Sequence, residues 1–156
     1  MSRRRAAKTR LILPDAQYNS TLLAKFINNL MKDGEKSIAE SIVYGALAAL
    51  EERYKLDGLE IFLQAIDNVK PEIEVRSRRV GGATYQVPVD IRENRKVALS
   101  IRWIIKSAKS RKERTMKLRL MNELWDAYNK KGKSIDEMIR THKMAEANKA
   151  FAHFRW

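Results

Sequence analysis

The sequence contains no cysteine and only two histidines among its 156 residues. Without a thiol the chain can form neither a disulfide nor a thiolate metal site, and it has no cysteine nucleophile. The absence suits a reducing cytoplasm, where we expect this protein to act. The histidines, His142 and His153, lie near the C-terminal end without a nucleophile or ligand motif beside them. We therefore expect neither a metal nor a cofactor.

Sequence motifs of nucleotide-binding and hydrolytic enzymes are also missing. No Walker sequence, GxGxxG, HExxH or GxSxG motif occurs. The paired glycines Gly81 and Gly82 lie between two β-type segments, so they offer no helix N-terminus to a phosphate. No apolar run approaches the roughly 18 residues of a membrane span, and no apolar segment of a secretory signal follows the basic start. We expect no enzyme and no membrane protein. An enzyme acting on RNA, with acids brought together only by folding, is an open alternative.

Acidic residues are scarce relative to basic ones. The chain has 32 Lys and Arg against 19 Asp and Glu, which gives a formal net charge of +13. A folded domain with this charge repels itself unless a polyanion neutralises it. Nucleic acid is the commonest such partner and an anionic membrane surface is the second. Composition therefore favours a nucleic-acid-binding protein.

Apolar residues recur at helical spacing over most of the chain, with one stretch of period two. We predict a mainly α protein with a single domain over 1–156, a basic tail at 1–18 and a β-hairpin at 72–90. Ser20 or Asn19 is predicted to cap the first helix, and Ser134 with Glu137 to form a capping box on the last. The six helices are predicted at 20–32, 35–54, 59–70, 94–110, 115–130 and from 134 onward.

The period-two stretch predicts a hairpin that turns at Gly81 and Gly82, because glycine accepts the positive φ of a two-residue turn. Such a turn places Arg76 opposite Val87 and Arg78 opposite Tyr85. Arginine forks suit phosphates, and a tyrosine ring can stack on an unpaired base. The hairpin therefore predicts RNA contacts. A structural hairpin with solubilising arginines is the alternative. The RNA-binding candidates are Arg76, Arg78, Arg79 and Tyr85.

A second basic feature runs from Arg92 to Arg119. It contains eleven Lys or Arg and only two acids, Glu93 and Glu113, for a net charge of about +9 over 28 residues. Like charges at helical spacing destabilise a helix unless phosphates lie between them. The loop at 109–114 can reach several phosphates at once. This stretch therefore predicts phosphate binding, with a plain solvated surface as the alternative.

Several of these segments resemble one family. The stretch 75–89, VRSRRVGGATYQVPV, resembles the hairpin signature of ribosomal protein number seven of the small subunit. The stretch 142–156, HKMAEANKAFAHFRW, resembles the end of the bacterial form. Further matching segments are 12–15, 23–26, 39–44 and 102–103. The resemblance covers the whole chain in one register.

The resemblance implies a six-helix domain with a protruding β-hairpin. It also implies binding to the 3′ major domain of small-subunit (16S) rRNA, where the family nucleates assembly of the head. The expected position is near the tRNA exit site and the mRNA path, with other small-subunit ribosomal proteins as neighbours. The hairpin tip, Gly81 and Gly82, would then lie near tRNA. Some bacterial members also repress their own message, and we do not assign that activity.

Mapped onto this sequence, the resemblance gives a set of expected rRNA contacts. These are the hairpin arginines together with Arg3, Arg4, Arg5, Lys8, Arg10, Lys32, Lys36, Arg95, Arg102, Lys109, Arg111, Lys112 and Met116. We add the other cations of the basic stretch and one near the end of the chain: Arg92, Lys96, Lys106, Arg114, Lys117 and Arg155.

Two departures from the family pattern stand out. Arg92 is followed by Glu93, where members often have proline, so the start of the fourth helix is less defined. Met121 and Trp125 are bulkier than the pattern, which leaves the packing of the fifth helix open.

The expected mechanism is an electrostatic clamp on folded RNA, with helices as the rigid part and the tail and hairpin as wrapping segments. Binding should weaken steeply with salt because each neutralised phosphate releases counterions. Specificity should come mainly from RNA shape. The rival is a DNA-bending protein that uses the hairpin as a groove arm. Such arms carry a wedge residue at the tip, and Gly81 and Gly82 provide none.

Overall fold

The computed structural model describes residues 4–5, 7–8 and 10–154. Its elements confirm a mainly α protein with one β-hairpin, and each predicted helix end lies within about two residues of the observed one. The helices are α1 (Thr21–Leu30), α2 (Lys36–Tyr54), α3 (Gly58–Val69), α4 (Glu93–Lys109), α5 (Met116–Tyr128) and α6 (Lys133–Ala147). The strands are β1 (Ile73–Val80) and β2 (Ala83–Asp90), and a C-terminal 3-10 helix covers Lys149–Phe154.

The chain forms two compact units, one ending at Glu40 and the other starting at Ser41. In the first unit, Ser20 caps α1 as predicted, since its hydroxyl accepts a hydrogen bond from the Leu23 N–H at 3.3 Å. The Asp15 carboxylate accepts from the N–H groups of Gln17 and Tyr18 at 3.1 and 2.9 Å. These local bonds fix the turn that leads into α1.

The core of the second unit lies where α3, α4, α5 and α6 pack on one another. Its fully buried side chains include Phe62, Ile66, Ile104 and Leu124, at helical spacing on their elements. The Asn68 side-chain amide donates to the carbonyls of residues 127 and 128, both at 3.0 Å, which ties α3 to the end of α5. A rigid helical scaffold therefore carries the basic residues of α4 and α5.

Trp125 is half-buried in a ring stack. Its ring lies 3.5 Å from that of Tyr54 and 5.5 Å from that of Tyr128, nearly parallel to both. The bulky residue that departs from the family pattern is thus accommodated by two tyrosines. The indole therefore stacks on rings of the protein itself, which favours a packing role over stacking on a base.

The hairpin has the predicted register, with Arg76 opposite Val87 and Arg78 opposite Tyr85. Gly81 and Gly82 have φ angles of +57° and +88°, which a two-residue turn of this kind requires. The turn is exposed, whereas Val87 nearer the base is fully buried. Helix α6 packs on β1, and the C-terminal 3-10 helix packs on β2. The ribbon is therefore supported by helices, as a lone hairpin requires.

The start of α6 differs from the prediction. The capping box of Ser134 and Glu137 is wrong: the cap position is Gly132, at φ +89°, and it makes no side-chain cap bond. Ser134 is fully buried, and its hydroxyl donates to Glu123 at 2.7 Å. Glu137 instead pairs with Arg140 at 2.9 Å. A tertiary contact with a buried carboxylate has replaced the local capping bond.

Candidate nucleic-acid interface

The base of the hairpin is joined to α4 by ion pairs. Glu74 is 7% exposed and binds the Nε atoms of Arg76 and Arg95, each at 2.8 Å. Beside it, Glu72 binds Lys96 at 2.6 Å. Two of the predicted RNA contacts, Arg95 and Lys96, therefore fix the hairpin on α4, while Arg76 pairs with Glu74 within β1. The charges of Arg76, Arg95 and Lys96 are partly neutralised within the protein, so these residues are less available as phosphate ligands.

The start of α4 is settled by a second contact at this base. The helix begins at Glu93, directly after Arg92. The Glu93 carboxylate lies in the first turn and binds Lys70 at 2.9 Å, so it suits the helix dipole and also links α4 to the end of α3. Glutamate thus supports a defined helix start, although the resemblance led us to expect proline at this position.

The hairpin tyrosine lies against the C-terminal 3-10 helix. The Tyr85 ring is 5.3 Å from that of Phe151 and 4.8 Å from that of Phe154. Arg78 on the facing strand donates to the Phe154 carbonyl oxygen. Neither periodicity nor the resemblance predicted this cluster, although two phenylalanines near the end of the chain were the available signal. Stacking of Tyr85 on a base stays a prediction. Of the other predicted contacts on the hairpin, Arg79, Gly81 and Gly82 are exposed.

The loop between α4 and α5 is organised around Arg111. Its Nε donates to Glu113 at 2.9 Å, and its Nη1 donates to Glu123 at 2.9 Å and to Asp126 at 2.7 Å. Glu123 is 0% exposed and also accepts from the N–H and hydroxyl of Ser134. We call these five residues the Arg111 cluster. It links the loop to α5 and to the first turn of α6.

The Arg111 cluster shifts the pKa values of its members. Burial by itself would lower the pKa of Arg111, but its hydrogen bonds to Asp126, Glu113 and Glu123 raise it above its ordinary value. Arg111, aided by the Asn122 amide, lowers the pKa of Glu113 to about 2. Arg111 thus stays charged, yet three carboxylates surround that charge. Its phosphate contact stays a prediction, and the cluster occupies donors that such a contact would use.

Acid should destabilise the protein through these pairs. The Glu113 pKa is lowered from 4.5 to about 2, so its contribution is complete above pH 4.5 and is lost as the pH falls to about 2. Lys96 likewise lowers the pKa of Glu72. Burial opposes the change at Glu74, but Arg95 and Arg76 outweigh it and lower that pKa.

We therefore expect a melting temperature that is nearly constant from about pH 7 to 5 and falls steadily below about pH 4.5. Circular dichroism melts across this range measure it. Glu113→Gln should show a shallower acid decline than the unaltered chain. An equal decline in both chains would contradict the assignment of Glu113.

Seven of the predicted contacts in the second unit form a set of exposed cations that have no acidic partner among the residues that the structure describes. The set comprises Arg79, Arg92, Arg102, Lys109, Lys112, Arg114 and Lys117. Lys106 is also largely exposed and approaches Glu137 only at 3.6 Å. Four of the set fall within nine residues at the α4–α5 loop and the first turn of α5. This group of exposed positive charges suits phosphate oxygens.

The other predicted contacts are exposed or only partly so. Met116 is half-buried at the start of α5. In the first unit Arg4, Arg5, Lys8, Arg10 and Lys32 are exposed, and exposed Lys36 lies 3.8 Å from Glu40. Arg3 and Arg155 lie outside the described residues. Within the described ranges no helix is long and apolar enough to cross a membrane, and no group of three or more His, Cys, Asp or Glu could hold a metal ion.

A helical scaffold, a supported hairpin and clustered unpaired cations define the class of structural proteins that bind a polyanion. Residues 2–149 match the family described as ribosomal protein S7p/S5e. The chain belongs to this family, which is one of structural ribosomal proteins and not of enzymes.

Full-length relatives agree with this assignment. The chain is 59% identical over 156 residues to small ribosomal subunit protein uS7 of Rhodobacter capsulatus, with 100% of both chains covered. It is 57% identical to the protein of the same name from Roseobacter denitrificans and 56% identical to that from Myxococcus xanthus, again over the full length of both chains. The family resemblance predicted from the hairpin and the C-terminal segment is therefore confirmed.

Proposed function

We propose that this chain, a structural protein of the small subunit of the cytoplasmic bacterial ribosome, binds the 3′ major domain of 16S rRNA. By binding early it nucleates assembly of the head, and it lies near the tRNA exit site and the mRNA path. Other small-subunit ribosomal proteins are its neighbours. The observation that carries the proposal is the group of exposed cations at the α4–α5 loop and the start of α5, on a chain of this family.

The unpaired cations and the paired ones have different roles in this proposal. Lys109, Lys112, Arg114 and Lys117 are exposed and free of acids in the described structure, so they are the phosphate ligands. Each neutralised phosphate releases counterions and contributes to affinity. By contrast, Arg95 is held by Glu74 at the base of the hairpin. It keeps the hairpin in place rather than supplying a free charge.

Rigidity supports recognition of folded RNA. The helices carry the cations on a packed core, while the hairpin is fixed at its base by the Glu74–Arg95 pair and along β2 by the C-terminal 3-10 helix. A pre-organised surface loses little conformational freedom on binding. It therefore selects an RNA whose phosphates already have the matching spacing, which is recognition by shape. The exposed turn at Gly81 and Gly82 is then free to point toward tRNA.

A competition assay tests this function. We expect the chain to bind a folded fragment of the 3′ major domain at least about 100-fold more tightly than duplex DNA of equal length at physiological salt. Filter binding with labelled rRNA and unlabelled competitors measures the ratio, and a fragment from another 16S domain is the matched RNA control. Equal affinity for rRNA and duplex DNA would favour the DNA-bending alternative, which the wedge-free turn at Gly81 and Gly82 speaks against.

A further inference from the structure

Glu113 is one of only two acids in the basic stretch from Arg92 to Arg119, and it is directly followed by Arg114. On net charge alone, an acid at this place should repel RNA and weaken binding. Yet its carboxylate is directed at Arg111, at 2.9 Å from Nε. The Asn122 amide donates to the same oxygen at 2.9 Å. Glu113 is therefore part of the internal structure of the loop.

Both ends of the loop are fixed by hydrogen bonds. On the α4 side, the hydroxyl of Ser110 donates to the Ser107 carbonyl at 2.8 Å and accepts from Lys133 at 3.1 Å. On the α5 side, Arg119 donates to the Glu113 carbonyl at 2.6 Å. The Arg111–Glu113 ion pair spans Lys112 and joins the two ends of the loop. Lys112 itself is exposed and has no acidic partner in the described part of the chain.

This arrangement decides what each residue of the loop can do. Arg111 is 22% exposed and its donors go to three carboxylates, whereas Lys112 is flanked on both sides by residues that are held. A cation on an ordered backbone loses less freedom when it meets a phosphate than one on a mobile loop. The affinity gained from an ordered loop can therefore exceed the affinity lost through repulsion between RNA and the partly screened Glu113 carboxylate.

We propose that Arg111 and Glu113 are positioning residues, which hold the α4–α5 loop so that Lys109, Lys112 and Arg114 meet phosphates in a fixed geometry. The proposal rests on the rRNA-binding function above. It has an unusual consequence: removal of an acid from a basic RNA-binding stretch should weaken RNA binding. It also takes Arg111, which the sequence placed among the contacts, out of the set of phosphate ligands.

The test compares charge-matched variants in the full chain. Glu113→Ala should weaken binding to the 3′ major-domain fragment by about 3–10-fold, although the loss of the carboxylate raises the net charge by one. Glu146→Ala makes the same change of charge at an exposed acid without a partner in the described structure, and it should leave affinity unchanged or slightly higher. Asn122→Ala releases the same Glu113 oxygen without a change of charge and should give a smaller loss.

The salt dependence separates positioning from direct contact. Lys112→Ala should lower the slope of log K against log salt by about 0.7–0.9, because one phosphate contact is lost. Glu113→Ala should keep nearly the full slope. The phosphate contacts still form in this variant, but ordering the α4–α5 loop costs more conformational freedom. Limited trypsin digestion without RNA gives an independent readout. Cleavage between residues 109 and 114 should be roughly 3–10-fold faster in Glu113→Ala than in Glu146→Ala.

The outcomes are distinguishable. If the unaltered chain shows no preference for the rRNA fragment, the proposed function fails and the inference fails with it. If the unaltered chain binds as proposed but Glu113→Ala binds equally well or better, the inference alone is overturned. Unchanged trypsin cleavage would also overturn it, since the loop would then not depend on the pair. A loss of affinity with faster cleavage supports the positioning role.

Discussion

Arg111→Ala should lower the free energy of unfolding by about 3–5 kcal/mol, the cost of breaking a buried ion pair by removing one partner. Glu123 is 0% exposed, and Arg111 binds its Oε2 atom at 2.9 Å. Without the guanidinium, the buried Glu123 carboxylate retains, in the part of the chain that the structure describes, only its hydrogen bonds from Ser134. The loss is a large part of the roughly 5–15 kcal/mol that stabilises an ordinary domain.

Urea unfolding followed by circular dichroism measures this difference. Lys112→Ala is the matched control, because it removes a cation from the next residue in the chain, and it should change stability by no more than about 0.5 kcal/mol. Adding Glu123→Gln to Arg111→Ala should recover about 1–2 kcal/mol, since the buried charge disappears together with its partner. A loss below about 1 kcal/mol in Arg111→Ala would show that the cluster is not a stabilising centre.

The second large effect concerns RNA binding. Changing Lys109, Lys112, Arg114 and Lys117 together to glutamine should lower the slope of log K against log salt by about 3–4 and weaken rRNA binding by roughly 100–1,000-fold at low salt. Stability should change little, because all four are exposed and none has an acidic partner in the described structure. RNA binding weakens because four phosphate contacts are lost, while the helical scaffold stays unchanged.

Filter binding over a series of salt concentrations checks this expectation. The matched control changes four exposed lysines outside the predicted contacts, Lys25, Lys55, Lys131 and Lys143, so that the net charge falls by the same amount. The control should keep most of the affinity and of the slope. If the two quadruple variants lose affinity equally, binding follows net charge, and the α4–α5 loop is not a distinct site.

Much of the fold could be predicted from local patterns. The register of the hairpin follows from one short turn, so Arg78 opposite Tyr85 was determined by the spacing around Gly81 and Gly82. The helices follow from apolar spacing, and Ser20 caps α1 through a bond to a residue three positions away. The cap of α6 could not be predicted in this way. Ser134 binds Glu123, eleven residues earlier, and that distant partner outweighed the local capping pattern.

The sequence by itself determined the protein class, the order of helices and hairpin, and the large positive charge. These features follow from composition and from the spacing of residues that are near one another in the chain. Only the tertiary structure decided which positive charges are available to a partner. Arg95 meets Glu74 across 21 residues of sequence, and Arg111 meets Asp126 across 15. Coulomb attraction at 2.7–2.8 Å depends on distances that packing creates, so no count of lysines and arginines could separate structural cations from binding ones.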